Sequence, residues 1–395
     1  MARRHEIYSR KLRMGMVGGG PGAFIGEVHR KAARIDGGIE LVAGAFSRSP
    51  RKSRQTGREQ CLDRDRVYPD HVTMIEAELA RDEGDRIDFV SIVTPNRTHF
   101  PIARDFLKAG FHVVCDKPMT MDVKEARELR RIVRRSKRVF ALTHNYTGYP
   151  MVKLARDMVR QGDLGEIMKV VVHYPQGWLI QPIERRGNKQ AGWRTDPKEA
   201  GAAGSMGDIG THAENLAEYI TGLRIRQILA ELTSFIKGRK LDDDGNCLLR
   251  FEGGAKGVLM ASQICAGEEN GFNIAVYGEK GGLKWRQEYP NDLEVRPLNS
   301  PHHIWRRGND YVTEKSPAAA RGTRIPFGHP EAFIEAFANI YVNAAETIRA
   351  HEAGEDPDPL ALDFPTVDDG VRGMQFIEAV VKSSRMGAKW VTIPK

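Results

Sequence analysis

Between Leu12 and about Thr143, short apolar runs alternate with longer amphipathic ones. Residues 13–17, 40–46, 87–93, 111–115 and 139–142 are largely apolar on both faces, which predicts buried strands. Residues 27–34, 99–109 and 122–135 repeat their apolar positions at helical spacing. Strands and helices in alternation predict a parallel sheet covered on both sides. Beyond Asn145 the pattern changes. A helix over 151–161 and a strand over 166–174 lead, through a long Gly- and Lys-rich segment, to a marked helix over 208–220. Thr221-Gly222 ends it in the manner of a glycine cap. Short runs at 226–235, 246–251, 257–264 and 272–277 follow without long helices between them, which predicts an antiparallel sheet. Helices over 331–350 and 367–384 and a short strand at 390–393 close the pattern.

The expected fold class is therefore α/β: a nucleotide-binding domain over residues 1–145, then an α/β domain over 146–395 built on an open, mostly antiparallel sheet. The last helix and strand are expected to pack back on the first domain. A length of 395 residues, about two to three times a usual domain, agrees with this division. Hydrophobic residues at 41% and charged residues at 28% exclude a disordered or fibrous chain. No apolar run approaches the ~18 residues of a membrane-spanning helix, so no membrane partner is expected. The basic start Met1–His5 lacks the apolar stretch of a signal peptide. Cys61, Cys115, Cys247 and Cys265 form no C-x-x-C pair, which suits a reducing cytoplasm.

The net charge of +8 favours anionic ligands. In the most basic segment, 127–138, Leu129, Ile132 and Val133 recur at helical spacing and no aromatic residue interleaves with the arginines. This reads as a solvated helix face, and no nucleic-acid partner is expected. The cluster His302, His303, Trp305, Arg306 and Arg307 has no carboxylate or cysteine at ligand spacing, so no metal is expected there.

The chemistry concentrates where strands end. Gly18-Gly19-Gly20-Pro21-Gly22-Ala23 follows the first strand and precedes a helix. Gly18 and Gly20 match the first two glycines of G-x-G-x-x-G and Ala23 takes the third place, with Phe24 and Ile25 opening the helix. Such a loop brings backbone N–H groups and a helix N-terminus to a pyrophosphate. The second strand runs into Ser47-Arg48-Ser49-Pro50-Arg51-Lys52, where an acid would select NAD. Ser47, Arg48 and Lys52 instead favour the 2′-phosphate of NADP, with NAD left open. Later strands end at Thr94-Pro95-Asn96-Arg97-Thr98-His99, Cys115-Asp116-Lys117-Pro118 and His144-Asn145-Tyr146. Far downstream, Gly207-Asp208-Ile209-Gly210-Thr211-His212 puts Asp208 and His212 four residues apart on one helix face.

In these motifs, their order and the closing run Met374-Gln375-Phe376-Ile377-Glu378-Ala379, the chain resembles the glucose–fructose oxidoreductase/inositol dehydrogenase family (Gfo/Idh/MocA) over essentially its whole length. The resemblance implies a Rossmann domain plus an open-sheet α/β domain, and hydride transfer between NAD(P) and a hydroxyl of a sugar, glycoside or cyclitol. It also implies homodimers or homotetramers formed through the exposed sheet face. Lys117 matches the E-K-P lysine that touches cofactor and reacting hydroxyl, with Asp116 where the family has Glu. His212 matches the acid/base and Asp208 the carboxylate beside it. Thr94, Asn96, His99 and Asp116 are implied on the cofactor side, and Asn145, Trp193 and Arg194 on the substrate side. The stretch Trp193-Arg194-Thr195-Asp196-Pro197 looks most like the branch acting on pyranosides or anhydrosugars, often at C3. The arginine that many relatives carry a few residues after Asn145 is replaced by Thr147-Gly148-Tyr149. Two other functions stand beside a dehydrogenase: redox-neutral glycoside cleavage through transient C3 oxidation, and a non-catalytic NAD(P) sensor.

Overall fold

The computed structural model describes residues 10–394; the basic start Met1–His5 lies outside them. Within that range the chain forms two compact units. One holds residues 10–145 with Phe337–Val371, the other Tyr146–Ala336 with residues 372–394.

The first unit carries the predicted parallel sheet: β1 Leu12–Gly18, β2 Ile39–Ala45, β3 Phe89–Val93, β4 His112–Cys115 and β5 Phe140–Leu142, in the order β2-β1-β3-β4-β5. Every neighbouring pair is parallel. Met16 and Val17 of β1, Ile92 and Val93 of β3, and Val113 and Val114 of β4 are all buried, so successive residues on opposite faces are both covered. β1 lies between β2 and β3, and ligands of such sheets bind outside the carboxyl ends of the strands where the winding reverses. The basic segment forms the helix Val123–Ser136, with Val123, Ala126, Leu129 and Ile132 buried and Arg130 and Arg134 beside Asp368.

The second unit carries β6 Ile167–Pro175, β7 Ile225–Thr233, β8 Asp244–Phe251, β9 Lys256–Ser262, β10 Asn273–Gly278, β11 Gly281–Arg286, β12 Asp292–Pro297, β13 His303–Arg306 and β14 Val391–Thr392. Their order is β13-β12-β11-β10-β6-β9-β8-β7-β14, antiparallel throughout except for β6 with β9. One face is packed and the other more open: Val170, Val172 and Tyr174 of β6 are buried, while Lys169, Val171 and His173, alternating with them, are only partly so. The helices Pro150–Arg160 and Thr211–Thr221 pack on this sheet. Because β6 and β9 run in the same direction, the segments leaving them, at Gln176 and Gln263, emerge at one end of the sheet.

One terminal segment crosses the division at residue 145, and the closing strand lies in the second sheet rather than on the first unit. The long helix Phe333–Ala353 belongs from Phe337 onward to the first unit, where the Tyr341 hydroxyl lies 2.6 Å from His29 Nδ1 and 2.8 Å from Ser91 Oγ. The closing strand β14 edges the second sheet beside β7, and Arg372 of the last helix donates to Glu218 Oε1 at 2.7 Å. Periodicity says that a helix is buried, not which sheet buries it.

Candidate active site

The loop after β1 is shaped by close approaches that only glycine allows. A Cβ on Gly18 would lie 2.7 Å from the Val93 carbonyl oxygen, and one on Gly20 2.7 Å from that of Phe46. Gly18 also has φ of +92°, the left-handed region. The loop is thereby drawn against the ends of β2 and β3. The helix Phe24–Arg34 starts immediately after it, with Ala23 at its N-cap and no side chain capping its first N–H groups. A cradle of bare backbone ahead of an uncapped helix N-terminus fits a dinucleotide pyrophosphate. Arg30 braces the loop by donating to the Gly19 carbonyl at 2.9 Å. Phe24 is exposed and Ile25 half-buried at the helix start.

After β2, Ser47 Oγ accepts from the Ser49 N–H at 3.2 Å, and Ser49 caps the helix Pro50–Glu59. Arg48 and Lys52 are exposed on this turn. After β3, Thr94 begins the loop and Asn96 is buried in the turn Asn96–Thr98. His99 is fully buried, its Nδ1 2.8 Å from the Pro118 carbonyl oxygen and its Nε2 2.8 Å from that of Thr94. It ties the loop after β3 to the turn after β4. Asp116 turns back on its own backbone: its Oδ1 accepts from the Lys117 N–H at 2.9 Å and from Thr143 Oγ1 at 3.0 Å. That holds the base of Lys117 against the end of β5. Beside it, burial first and the Lys117 charge second push the His144 imidazole down to about 3, so His144 is neutral. Asn145 is also buried, and its Nδ2 makes no hydrogen bond among the described residues.

In the second unit, a π-helical turn, Met206–Gly210, feeds the helix Thr211–Thr221. Asp242 fixes its start, accepting from Gly204 N, Ser205 Oγ and Met206 N at 2.6, 2.8 and 2.9 Å. Such turns widen a helix locally and are frequent at functional sites. Asp208 lies on this turn and His212 one turn further on. Asp208 Oδ2 accepts from Arg194 Nε at 3.1 Å and from Gln263 Nε2 at 2.9 Å. The Arg194 guanidinium stacks over the Trp193 ring at 4.2 Å and lies 5.8 Å from that of Trp178. The predicted residues Trp193, Arg194, Asp208 and His212 thus share one side of this unit. The His212 ring meets the Tyr146 ring edge-on at 4.8 Å. Tyr146 is hydrogen-bonded to Tyr174, and burial raises the Tyr146 phenol to about 12. Gln263 is bonded in turn to Gln176, which also accepts from Trp178 and donates to Asn270.

The family model described as "Oxidoreductase family, NAD-binding Rossmann fold" matches residues 12–144, and that of the GFO/IDH/MocA C-terminal domain matches residues 152–284. The chain belongs to the Gfo/Idh/MocA oxidoreductase family. As a member it is an NAD-binding oxidoreductase; the first matched stretch holds the whole parallel sheet and the second holds β6 to β10 of the other. The oxidoreductase YfiI of Bacillus subtilis is 32% identical over 394 residues, 99% of either chain. An inositol dehydrogenase homologue of Azotobacter vinelandii, solved with NAD+, is 37% identical with a TM-score of 0.94, covering 99% of this chain and 100% of that one. The same homologue solved with NADH and myo-inositol gives a TM-score of 0.89 at 37% identity, over 97% and 98%. The family motifs mark Lys117, Asp208 and His212 but not the polar set around Asp208. A glutamine one residue past β6 and another one residue past β9 acquire meaning only once those strands are known to run parallel.

Proposed function

We propose that this oxidoreductase oxidises a ring hydroxyl of a sugar, glycoside or cyclitol, at C3 when the substrate is a pyranoside. The observation that carries the reading is Asp208 and His212 one helical turn apart, with the Asp208 carboxylate held by Arg194 and Gln263. A relative solved with myo-inositol supports the substrate class. When bound, the nicotinamide supplies the acceptor for the hydrogen on the carbinol carbon. The chain supplies the rest. The His212 imidazole takes the hydroxyl proton as general base. The Lys117 ammonium stabilises the charge developing on the oxygen. Asp208 accepts a hydrogen bond from the substrate and favours the imidazolium that forms one turn away. Asn145, Trp193 and Arg194 contact the sugar. Gly18, Gly20 and the N-terminus of Phe24–Arg34 hold the pyrophosphate, with Thr94, Asn96 and Asp116 lining the rest of the cofactor and His99 holding that lining in place. No acid occurs from Ser47 to Lys52, which favours NADP, whereas the homologue was solved with NAD+ and NADH.

The test is a panel of cyclitols, pyranosides and anhydrosugars assayed at the reduced-nicotinamide absorbance with both cofactors. Net NAD(P)H formation with at least one member supports a dehydrogenase. Sugar release at constant cofactor redox state, or cofactor binding without turnover of any panel member, overturns it.

A further inference from the structure

Gln263 is only 2% exposed and its backbone is pinned on both sides: its N–H donates to the Asp243 carbonyl at 2.9 Å and its carbonyl accepts from Leu179 N at 3.0 Å. Its side-chain Nε2 donates to Asp208 Oδ2 at 2.9 Å and to Gln176 Oε1 at 3.3 Å. The chemistry of the partners fixes these orientations. The Trp178 indole can only donate, and it reaches the same Gln176 oxygen at 3.1 Å, so that atom is the amide oxygen. Gln176 Nε2 then donates to Asn270 Oδ1 at 2.8 Å, which also accepts from the Tyr174 hydroxyl at 2.9 Å. With the Tyr174 proton so committed, the Tyr146 hydroxyl donates to Tyr174. The Tyr146 ring is the one that meets His212 edge-on. An unbroken run of hydrogen bonds therefore leads from the Asp208 carboxylate to the aromatic wall beside His212.

We infer that Gln263 is a positioning residue that sets the Asp208 carboxylate and, through Gln176, Asn270 and Tyr174, the ring against which His212 packs. The inference rests on the roles proposed above for Asp208 and His212. Amide groups do not relay protons, so the run orients groups and does not conduct between them. Both N–H bonds of one amide are used, one towards each half of the pair, which makes Gln263 the link that cannot be shortened or stripped of its donors without moving both.

The experiment compares Gln263→Met and Gln263→Glu in the full chain, using the panel member that the wild type turns over fastest. Methionine keeps the length and removes both N–H groups. It is expected to lower kcat about 10- to 100-fold, as for a small misplacement of reacting groups, with NADH affinity unchanged. Glutamate sets a second carboxyl against Asp208 and is expected to raise the acid limb of the kcat/KM profile by about one pH unit. A residue without coupling to Asp208 would leave that limb where it was. Wild-type kcat in the methionine variant, or an unmoved acid limb in the glutamate variant, overturns the inference; if the methionine variant fails to fold, the glutamate profile decides. Asp208→Asn and His212→Ala measured in parallel separate the two claims. If they retain turnover, the proposed roles fail; if they lose it while both Gln263 variants behave as wild type, the positioning role alone fails.

Discussion

Gly26, in the first turn of the helix Phe24–Arg34, packs directly on Gly19 of the loop that precedes it: a Cβ on Gly26 would stand 2.4 Å from the Gly19 Cα. The close packing of helix on loop that the third fingerprint glycine serves is met three residues after Ala23, the position the motif singles out. The obstacle is backbone and cannot swing aside. Gly26→Ala is expected to push the helix N-terminus off the loop, weakening NADH binding at least tenfold and costing about 1–3 kcal/mol of stability. Gly84→Ala, where a Cβ meets nothing within 4 Å, is the control expected to match the wild type. Fluorescence titration with NADH checks both, and an unchanged affinity in Gly26→Ala would contradict the packing argument.

A buried carboxylate anchors the helix His71–Leu79 beneath β1. Glu78, 0% exposed, accepts from Arg66 Nη2 at 2.7 Å, the Tyr68 hydroxyl at 2.8 Å and Ile87 N at 2.9 Å. Burial and then Glu78 raise the Tyr68 phenol to about 12. Met74, one turn before Glu78 on the same helix, fills the space a side chain at Gly15 of β1 would need. Removing one partner of such a pair strands the other, so Glu78→Ala is expected to cost about 3–5 kcal/mol in urea unfolding. A midpoint equal to that of the wild type would show that water replaces the carboxylate without penalty.

Three buried histidines give stability a pH dependence of known sign. Burial is the first cause in each case, lowering His29 and His112 to about 4 and His144 to about 3. Their unfolded value is about 6.5. The stabilisation from keeping them neutral is therefore complete above about pH 6.5 and is lost as pH falls through the window down to about 4, and to about 3 for His144. In that window the unfolded chain binds up to three more protons, a slope of up to about 4 kcal/mol per pH unit. Urea midpoints at pH 7.5 and pH 5 should differ clearly. Equal midpoints would mean that these rings are protonated in the native state.

The parallel sheet and its glycine loop were legible because strands buried on both faces are continuous apolar runs. The strands β11, β12 and β13 were not, and β13 shows why: His303, Ile304 and Arg306 are exposed at the sheet edge, so no alternation marks it. Arg307, next in that basic cluster, is buried against Glu331 at 2.8 Å, an ion pair that spacing could not announce. The helix Pro50–Glu59 buries only Ser53, Thr56 and Gly57 and so has no apolar stripe to read. At the candidate site, motifs mark the residues placed for chemistry, whereas Gln176, Gln263 and Asn270 depend on which strand ends meet. His99 was expected on the cofactor side; it is buried, with both ring nitrogens on main-chain carbonyls.

The proposed preference for NADP is tested at Arg48, exposed on the turn after β2. A charge-assisted bond to a 2′-phosphate contributes roughly 1.5–3 kcal/mol, about ten- to a hundredfold in affinity. Arg48→Asp is expected to shift preference towards NADH by repulsion as well as by the lost contact. Titration of wild type and variant with NADH and NADPH measures it. Tighter binding of NADH by the wild type would assign Arg48 to the adenine or to solvent.

The central claim is that Lys117 and His212 perform chemistry and do not merely bind. The most direct measurement is turnover of the fastest panel substrate by Lys117→Ala and His212→Ala at saturating cofactor, with cofactor affinity determined on the same samples. The expected result is a loss of about 10²–10⁴-fold in turnover for each variant with affinity nearly unchanged. Near-wild-type turnover in either variant would contradict the claim and remove that residue from the mechanism.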